Sequence, residues 1–96
     1  MIDVTNEQLL IIKGILSKHI NDTGVRVFGS RITGKAKKYS DLDLVVFGKT
    51  VIDPGIIAKI KEDFEESDLP FRVDILDWNR ISEEFKNIIN QQYEVL

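Results

Sequence analysis

Val27-Phe28-Gly29-Ser30-Arg31-Ile32-Thr33-Gly34-Lys35-Ala36-Lys37-Lys38-Tyr39-Ser40-Asp41-Leu42-Asp43-Leu44-Val45-Val46-Phe47 is the run from which the rest of the chain can be read. It closes with two acids two positions apart and then Leu-Val-Val-Phe, a strand that begins polar and becomes buried. Side chains alternate across a strand, so Asp41 and Asp43 share one face. Carboxylates held side by side repel each other, and a divalent cation bound by oxygen, Mg²⁺ first, relieves that repulsion. At the other end of the run, Val25-Arg26-Val27-Phe28 is a short strand that stops at Gly29. A glycine lets the backbone approach a ligand closely. Ser30 adds a hydroxyl at a helix start, where free N–H groups favour a phosphate. A single helical turn after Ser30 ends at Gly34, and a basic loop with Lys35, Lys37 and Lys38 leads to the acids.

Outward from this run the pattern is regular. Thr5 with Gln8 three residues on is a capping box. Leu9, Ile12, Leu16 and Ile20 then recur at helical spacing with Ile15 beside them, which predicts a helix over about 5–20. His19, the one histidine, falls in its last turn, where a positive charge favours the helix end. Asn21-Asp22-Thr23-Gly24 is a turn. Past the second strand, about 41–47, a connection runs from Gly48 to Gly55. Asp53-Pro54 is a helix entry, an N-cap acid with proline at the first helical position. Ile56, Ile57, Ile60 and Phe64 give that helix an apolar side to about Ser67, where Asp68-Leu69-Pro70 stops it. Residues 71–76 form a third strand, with Phe71, Val73 and Ile75 on one side and Arg72, Asp74 and Leu76 on the other. Asp74 is an exception in so apolar a strand, explained by a functional role, by an ion pair with Arg72 or Arg26, or by simple exposure on an edge strand. A last helix over about 81–93 carries Ile81, Phe85, Ile88, Ile89 and Tyr93 on its apolar face, with Trp78 as a packing residue before it.

The elements fall in the order helix, strand, single turn, strand, helix, strand, helix. If the polar ends of the first two strands line one site, these strands are antiparallel. The helical crossover to the third strand suits a parallel, right-handed pair and brings Asp74 beside Asp41 and Asp43. The expected fold class is α+β: a small mixed sheet of three or so strands with helices packed on it, one domain over 1–96. Val45 and Phe47 share the face of the acids and need cover, most simply from a helix of the same chain.

Composition narrows the function classes. The 96 residues are 43% hydrophobic and 30% charged, which suits one globular core. The chain has no cysteine, so disulfide staples and thiolate metal sites are excluded. No apolar stretch is long enough to span a bilayer, and no signal peptide is expected. A net charge of −3 argues against general nucleic-acid binding. The Gly-Ser loop lacks the Gly-Lys-Ser/Thr ending of a P-loop, and no nucleophilic cysteine or suitably placed histidine is present.

Gly29-Ser30, ten residues, then Asp41-x-Asp43 resembles the pattern of the DNA polymerase β-type nucleotidyltransferase superfamily. The Gly-Ser-Arg-x-x-Gly…Ser-Asp-x-Asp-Leu form in so short a chain is similar to its minimal nucleotidyltransferase group, over nearly the whole length. The resemblance implies a nucleotidyltransferase fold that moves a nucleoside monophosphate from a triphosphate to an acceptor hydroxyl. By it, Asp41 and Asp43 hold two Mg²⁺ ions, and Asp74 completes the metal site and helps deprotonate the acceptor. Gly29 and Ser30 hold the β- and γ-phosphates of ATP, and Arg31 adds charge to them. It further implies a partner, a HEPN-domain toxin that this chain silences as antitoxin by adenylylating a tyrosine. The absence of cysteine is compatible with the cytoplasmic location expected of the pair. Larger relatives carry another domain that grips base or acceptor. In its absence here, that selection falls to a partner or a second copy. Two other readings stand beside this one: a non-catalytic module that neutralises the partner by binding, and a nucleotidyltransferase for a small molecule such as an aminoglycoside.

Overall fold

The computed structural model describes residues 1–96. Helix α1 (Asn6–His19) begins at the capping box: Gln8 N–H donates to Thr5 Oγ1 at 3.1 Å, and Thr5 N–H donates to Gln8 Oε1 at 2.9 Å. Strand β1 (Gly24–Phe28) leads through Gly29 into the one-turn helix α2 (Ser30–Thr33), which ends at Gly34 in the left-handed region. Strand β2 (Leu42–Phe47) follows the basic loop. Helix α3 (Pro54–Glu65) is entered as expected: Asp53 Oδ1 accepts the Gly55 N–H at 2.8 Å, with proline at the first position. Strand β3 (Val73–Asp77) passes into a 3₁₀ turn (Trp78–Arg80) and then helix α4 (Glu83–Gln91), capped by Ser82.

The sheet order is β3-β2-β1-β4, where β4 is the pair Glu94–Val95. β1 and β2 are antiparallel and β2 and β3 parallel, the mixed topology that the polar strand ends required. One expectation is extended and another needs correction. The sheet has four strands, because the chain after Gln91 leaves the helix and pairs Glu94 with Val27 and Val95 with Arg26. Two residues without an apolar run carry no alternation by which a strand could be recognised. Helix α4 is correspondingly shorter than 81–93: Ile81 lies in the turn before it and Tyr93 in the segment after it. At the other boundaries, the second strand begins one residue late and the third strand runs 73–77.

Both sheet faces are covered. On one, Val25, Val27, Leu42, Leu44, Val46, Val73 and Ile75 join Ile12, Ile15 and Leu16 of α1 and Ile60 and Phe64 of α3 in a single apolar cluster. Leu42, Leu44 and Val46 are fully buried there, each worth about 1.5–3 kcal/mol. His19 Nε2 meets Asp63 Oδ2 at 2.7 Å and ties the end of α1 to α3. The other face carries Arg26, Phe28, Asp43, Val45 and Phe47. Phe28 meets Phe85 of α4 edge-on at 5.8 Å, and Trp78 stacks on Phe47 at 4.1 Å. Val45 and Ile89 are both fully buried and stand outside the first cluster, and with Phe85 on Phe28 and Trp78 on Phe47 this chain's own C-terminal elements supply cover for that face.

Candidate functional site

The register places the polar residues. Asp43 pairs with Phe28 of β1 on one side and with Asp74 of β3 on the other. Gly29 follows Phe28, so one row across the sheet ends runs from Gly29 past Asp43 to Asp74. Asp41 precedes β2 on the face of Asp43. Three acids reach one surface for distinct reasons: two by strand alternation, the third by a parallel crossover.

Gly29 is required twice over. Its backbone lies at φ +82 and ψ −157, a region open to glycine alone. A Cβ there would run into Asp43 Oδ2 and come within 3.2 Å of Asp43 Cγ. The bare backbone of Gly29 is therefore seated directly against the central carboxylate. Ser30, half-buried, opens α2 immediately after it.

Electrostatics single out Asp43. Burial, then Asp74, then Asp41 push its carboxyl from 3.8 up to about 6, against a smaller downward pull from Arg72. Asp74 and Asp41 are thus close enough to oppose the ionisation of Asp43. No three carboxylate, imidazole or thiolate groups are, as they stand, drawn tightly enough together to share one ion. The donor chemistry nonetheless fits a hard divalent cation, since the groups that meet here are all carboxylates and offer only oxygen ligands. Two of them already attract a cation, since Arg72 Nη2 lies 3.3 Å from Asp74 Oδ1 and 3.6 Å from Asp41 Oδ2.

Arg31 has a different place from the one expected of it. It is 5% exposed. Its Nε donates to Ser40 O at 3.0 Å, Nη1 to Asp3 O at 2.8 Å, and Nη2 to Lys37 O at 3.3 Å and Lys38 O at 3.1 Å. The guanidinium also lies over the Phe71 ring at 3.9 Å. With these donors turned to carbonyls, Arg31 clamps the basic loop and so fixes where Asp41 emerges, rather than facing a phosphate. Ser40 helps close the loop, its hydroxyl accepting the Lys37 N–H at 2.9 Å. Arg26 is committed elsewhere, over the rings of Phe47 at 3.8 Å and Tyr93 at 4.2 Å.

Two residues emerge that sequence reading did not assign to the site. The sequence offers Arg72 only as an ion-pair partner of Asp74. Its two-residue spacing from Asp74 was the available signal. Asp77, just past the expected strand, is buried and accepts the Ile52 N–H at 2.7 Å and the Asn79 N–H at 2.9 Å, fixing the connection between β2 and α3 to the end of β3. No spacing rule marked it.

Clefts flank the row of acids. One of about 370 Å³ lies between α3 and β3, reaching Arg72 and Asp74 over Phe64, Leu69 and Phe71. Another of about 490 Å³ lies by Phe28, Gly29 and Thr33, with Ile88, Gln91 and Gln92 of the C-terminal segment opposite. Carboxylates between two clefts, with a glycine backbone at one end, suit the meeting of a charged donor and a second substrate.

Comparison with known proteins agrees with this geometry. The family model described as "Polymerase beta, Nucleotidyltransferase" matches residues 11–96. The chain is 48% identical over 95 residues to the Haemophilus influenzae protein described as "Probable protein adenylyltransferase MntA", covering 99% of this chain and 83% of that one. Its fold is similar to a chain in a crystal structure of a toxin-antitoxin with AMP-PNP, with a TM-score of 0.76 at 23% identity over 95% of this chain and 72% of that one. It is also similar to spectinomycin adenyltransferase AAD(9) from Enterococcus faecialis with ATP and spectinomycin, with a TM-score of 0.50 at 26% identity over 96% of this chain but 48% of that one.

Proposed function

Because the chain belongs to the polymerase beta nucleotidyltransferase family, we propose that it transfers AMP from ATP to a hydroxyl of a partner protein. The partner is a toxin of the HEPN class, the acceptor is a tyrosine, and the modification silences the toxin, with both proteins working in the cytoplasm. The observation that carries this reading is the row of Gly29, Asp43 and Asp74 across adjacent strand ends, with Asp41 beside it. The likeness to the Haemophilus influenzae adenylyltransferase supports AMP as the group moved and a protein as the acceptor.

Asp41, Asp43 and Asp74 would hold Mg²⁺, as two ions when the triphosphate is present. Bound there, magnesium would neutralise the triphosphate and lower the pKa of the attacking hydroxyl. The chain's own residues do the rest. Gly29 lets the β- and γ-phosphates approach the acid row without a side chain in the way, and Ser30 offers them a hydroxyl. Asp74, beside the cleft over Phe64 and Phe71, faces the acceptor and takes its proton. The acceptor oxygen bonds to the α-phosphorus as the bond from that phosphorus to the bridging oxygen breaks, and pyrophosphate leaves. Such a reaction asks for charge neutralisation and in-line placement rather than a covalent catalyst. Arg31 serves indirectly, by holding the loop that presents Asp41.

The test is transfer from α-labelled ATP with Mg²⁺ to the co-purified toxin partner, alongside the Asp41→Asn/Asp43→Asn variant. Label on a partner tyrosine that vanishes with the variant is the expected result. Full transfer by the variant would sink the mechanism. A stable complex that binds nucleotide, labels nothing and still neutralises the toxin would make the chain a binding inhibitor.

A further inference from the structure

Arg72 stands immediately before β3, on the strand side of Asp74. Its backbone is fixed, since its carbonyl accepts the Leu42 N–H at 2.9 Å beside the start of β2. Its side chain is 71% exposed, yet Nη2 lies 3.3 Å from Asp74 Oδ1, 3.4 Å from Asp74 Oδ2 and 3.6 Å from Asp41 Oδ2. One cationic nitrogen thus touches three oxygens of two carboxylates. The other arginines nearby do not share this role: Arg31 is buried on carbonyls, and Arg26 lies over aromatic rings.

We propose that Arg72 is the exchangeable counter-ion of the acid row, holding Asp41 and Asp74 until a divalent cation displaces it. The inference rests on the proposed metal-dependent transfer, and it concerns loading of the site rather than the chemistry. An exposed arginine pair is weak and leaves easily. It still competes, because the cation must break both contacts and release a guanidinium into water. The competition is relieved when a triphosphate arrives with its own cation, since the phosphates give the displaced guanidinium a new anion and arginine matches phosphate geometry well. Arg72 therefore weakens cation binding to the bare protein and no longer opposes it once nucleotide is bound. It is a positioning residue, acting through Asp41 and Asp74.

The experiment is an electron paramagnetic resonance titration of free Mn²⁺ against the full chain and its Arg72→Gln and Arg72→Lys variants, with and without a non-hydrolysable ATP analogue. Without nucleotide, Arg72→Gln should bind Mn²⁺ about three- to tenfold more tightly than the parent, the effect of losing two exposed pairs. Arg72→Lys, which keeps the charge, should stay within about twofold of the parent. With the analogue present the advantage of Arg72→Gln should disappear, and adding Asp43→Asn to Arg72→Gln should abolish the tight site. Equal or weaker Mn²⁺ binding by Arg72→Gln, an equal gain in Arg72→Lys, or a gain that survives Asp43→Asn would each overturn the proposal. The titration does not read AMP transfer, so a chain that transfers nothing would count against the proposed function and leave the Mn²⁺ comparison standing.

Discussion

Replacing Gly29 with alanine tests the most specific contact in the site. Two costs follow from the structure. The backbone at φ +82 and ψ −157 is one that an L side chain resists, at about 1–3 kcal/mol. The added methyl would also occupy the space of Asp43 Oδ2 and lie 3.2 Å from Asp43 Cγ. A carboxylate can rotate away, so the second cost falls mainly on the site and little on the core. The expected stability loss is about 2 kcal/mol. For a domain of this size that lowers Tm by about 8–16 °C. Gly34→Ala is the matched control. It shares a positive φ of +79, but a Cβ there meets nothing within 4 Å. It should lose about 1 kcal/mol and keep Mn²⁺ binding and AMP transfer close to the parent at a temperature where both are folded. Gly29→Ala, folded at the same temperature, should lose most of both. Thermal melts by circular dichroism, with the two functional assays run well below each Tm, separate the effects. If Gly29→Ala keeps parental Mn²⁺ affinity and transfer, or if Gly34→Ala loses them equally, the seating of the glycine backbone on Asp43 is not what the site depends on.

The remaining predictions concern the neighbours of that contact. Asp43, with a carboxyl raised from 3.8 to about 6, binds a proton more readily in the folded chain than in the unfolded one. Its contribution to stability is therefore fully present below about pH 4 and is lost as pH rises through 6. The full shift would correspond to about 3 kcal/mol, and solvent screening of a half-buried group reduces that to about 1 kcal/mol. Asp43→Asn should gain about that much stability at pH 7 and flatten the slope between pH 4 and 6, as read by urea melts across that range; an unchanged slope would refute it. Arg31→Lys should cost about 2–3 kcal/mol, because an ammonium cannot span the carbonyls of Asp3, Lys37, Lys38 and Ser40. If phosphate contact were its role, nucleotide affinity would fall with no change in the melt. Asp77→Ala should cost about 2 kcal/mol by leaving the Ile52 and Asn79 N–H groups unpaired, with Mn²⁺ affinity preserved; a melt equal to the parent's would show that water replaces the carboxylate.

What could be read in advance divides along physical lines. The helices with caps were legible because capping and periodicity are local, as Thr5 with Gln8 and Asp53 with Pro54 show. The antiparallel and parallel pairings were legible for a different reason: the polar ends at Gly29, Asp41 and Asp74 had to meet, and only one arrangement of three strands brings them together. Strand β4 was not legible, since two residues on the edge of a sheet are held by partners rather than by their own pattern. Nor was the length of α4, where Ser82 sets the start by its hydrogen bond to Phe85 N–H and the pull of β4 on the chain sets the end.

Arginine was the residue type the sequence could place but not assign. Arg26, Arg31 and Arg72 all lie close to the polar run or to Asp74, and nothing in their spacing separates a phosphate ligand from a clamp or a counter-ion. Burial separates them. Arg31 is enclosed, so its charge must be satisfied on the spot, and the carbonyls of a tight basic loop do it. Arg26 has aromatic faces on either side, which attract a guanidinium without an anion. Arg72 alone is both exposed and set against the acids, so it alone can exchange one anionic partner for another. A site built to receive a highly charged substrate needs its resting charge balanced by something that can leave. Of the three arginines, the one suited to that task is the one whose side chain the fold leaves in water.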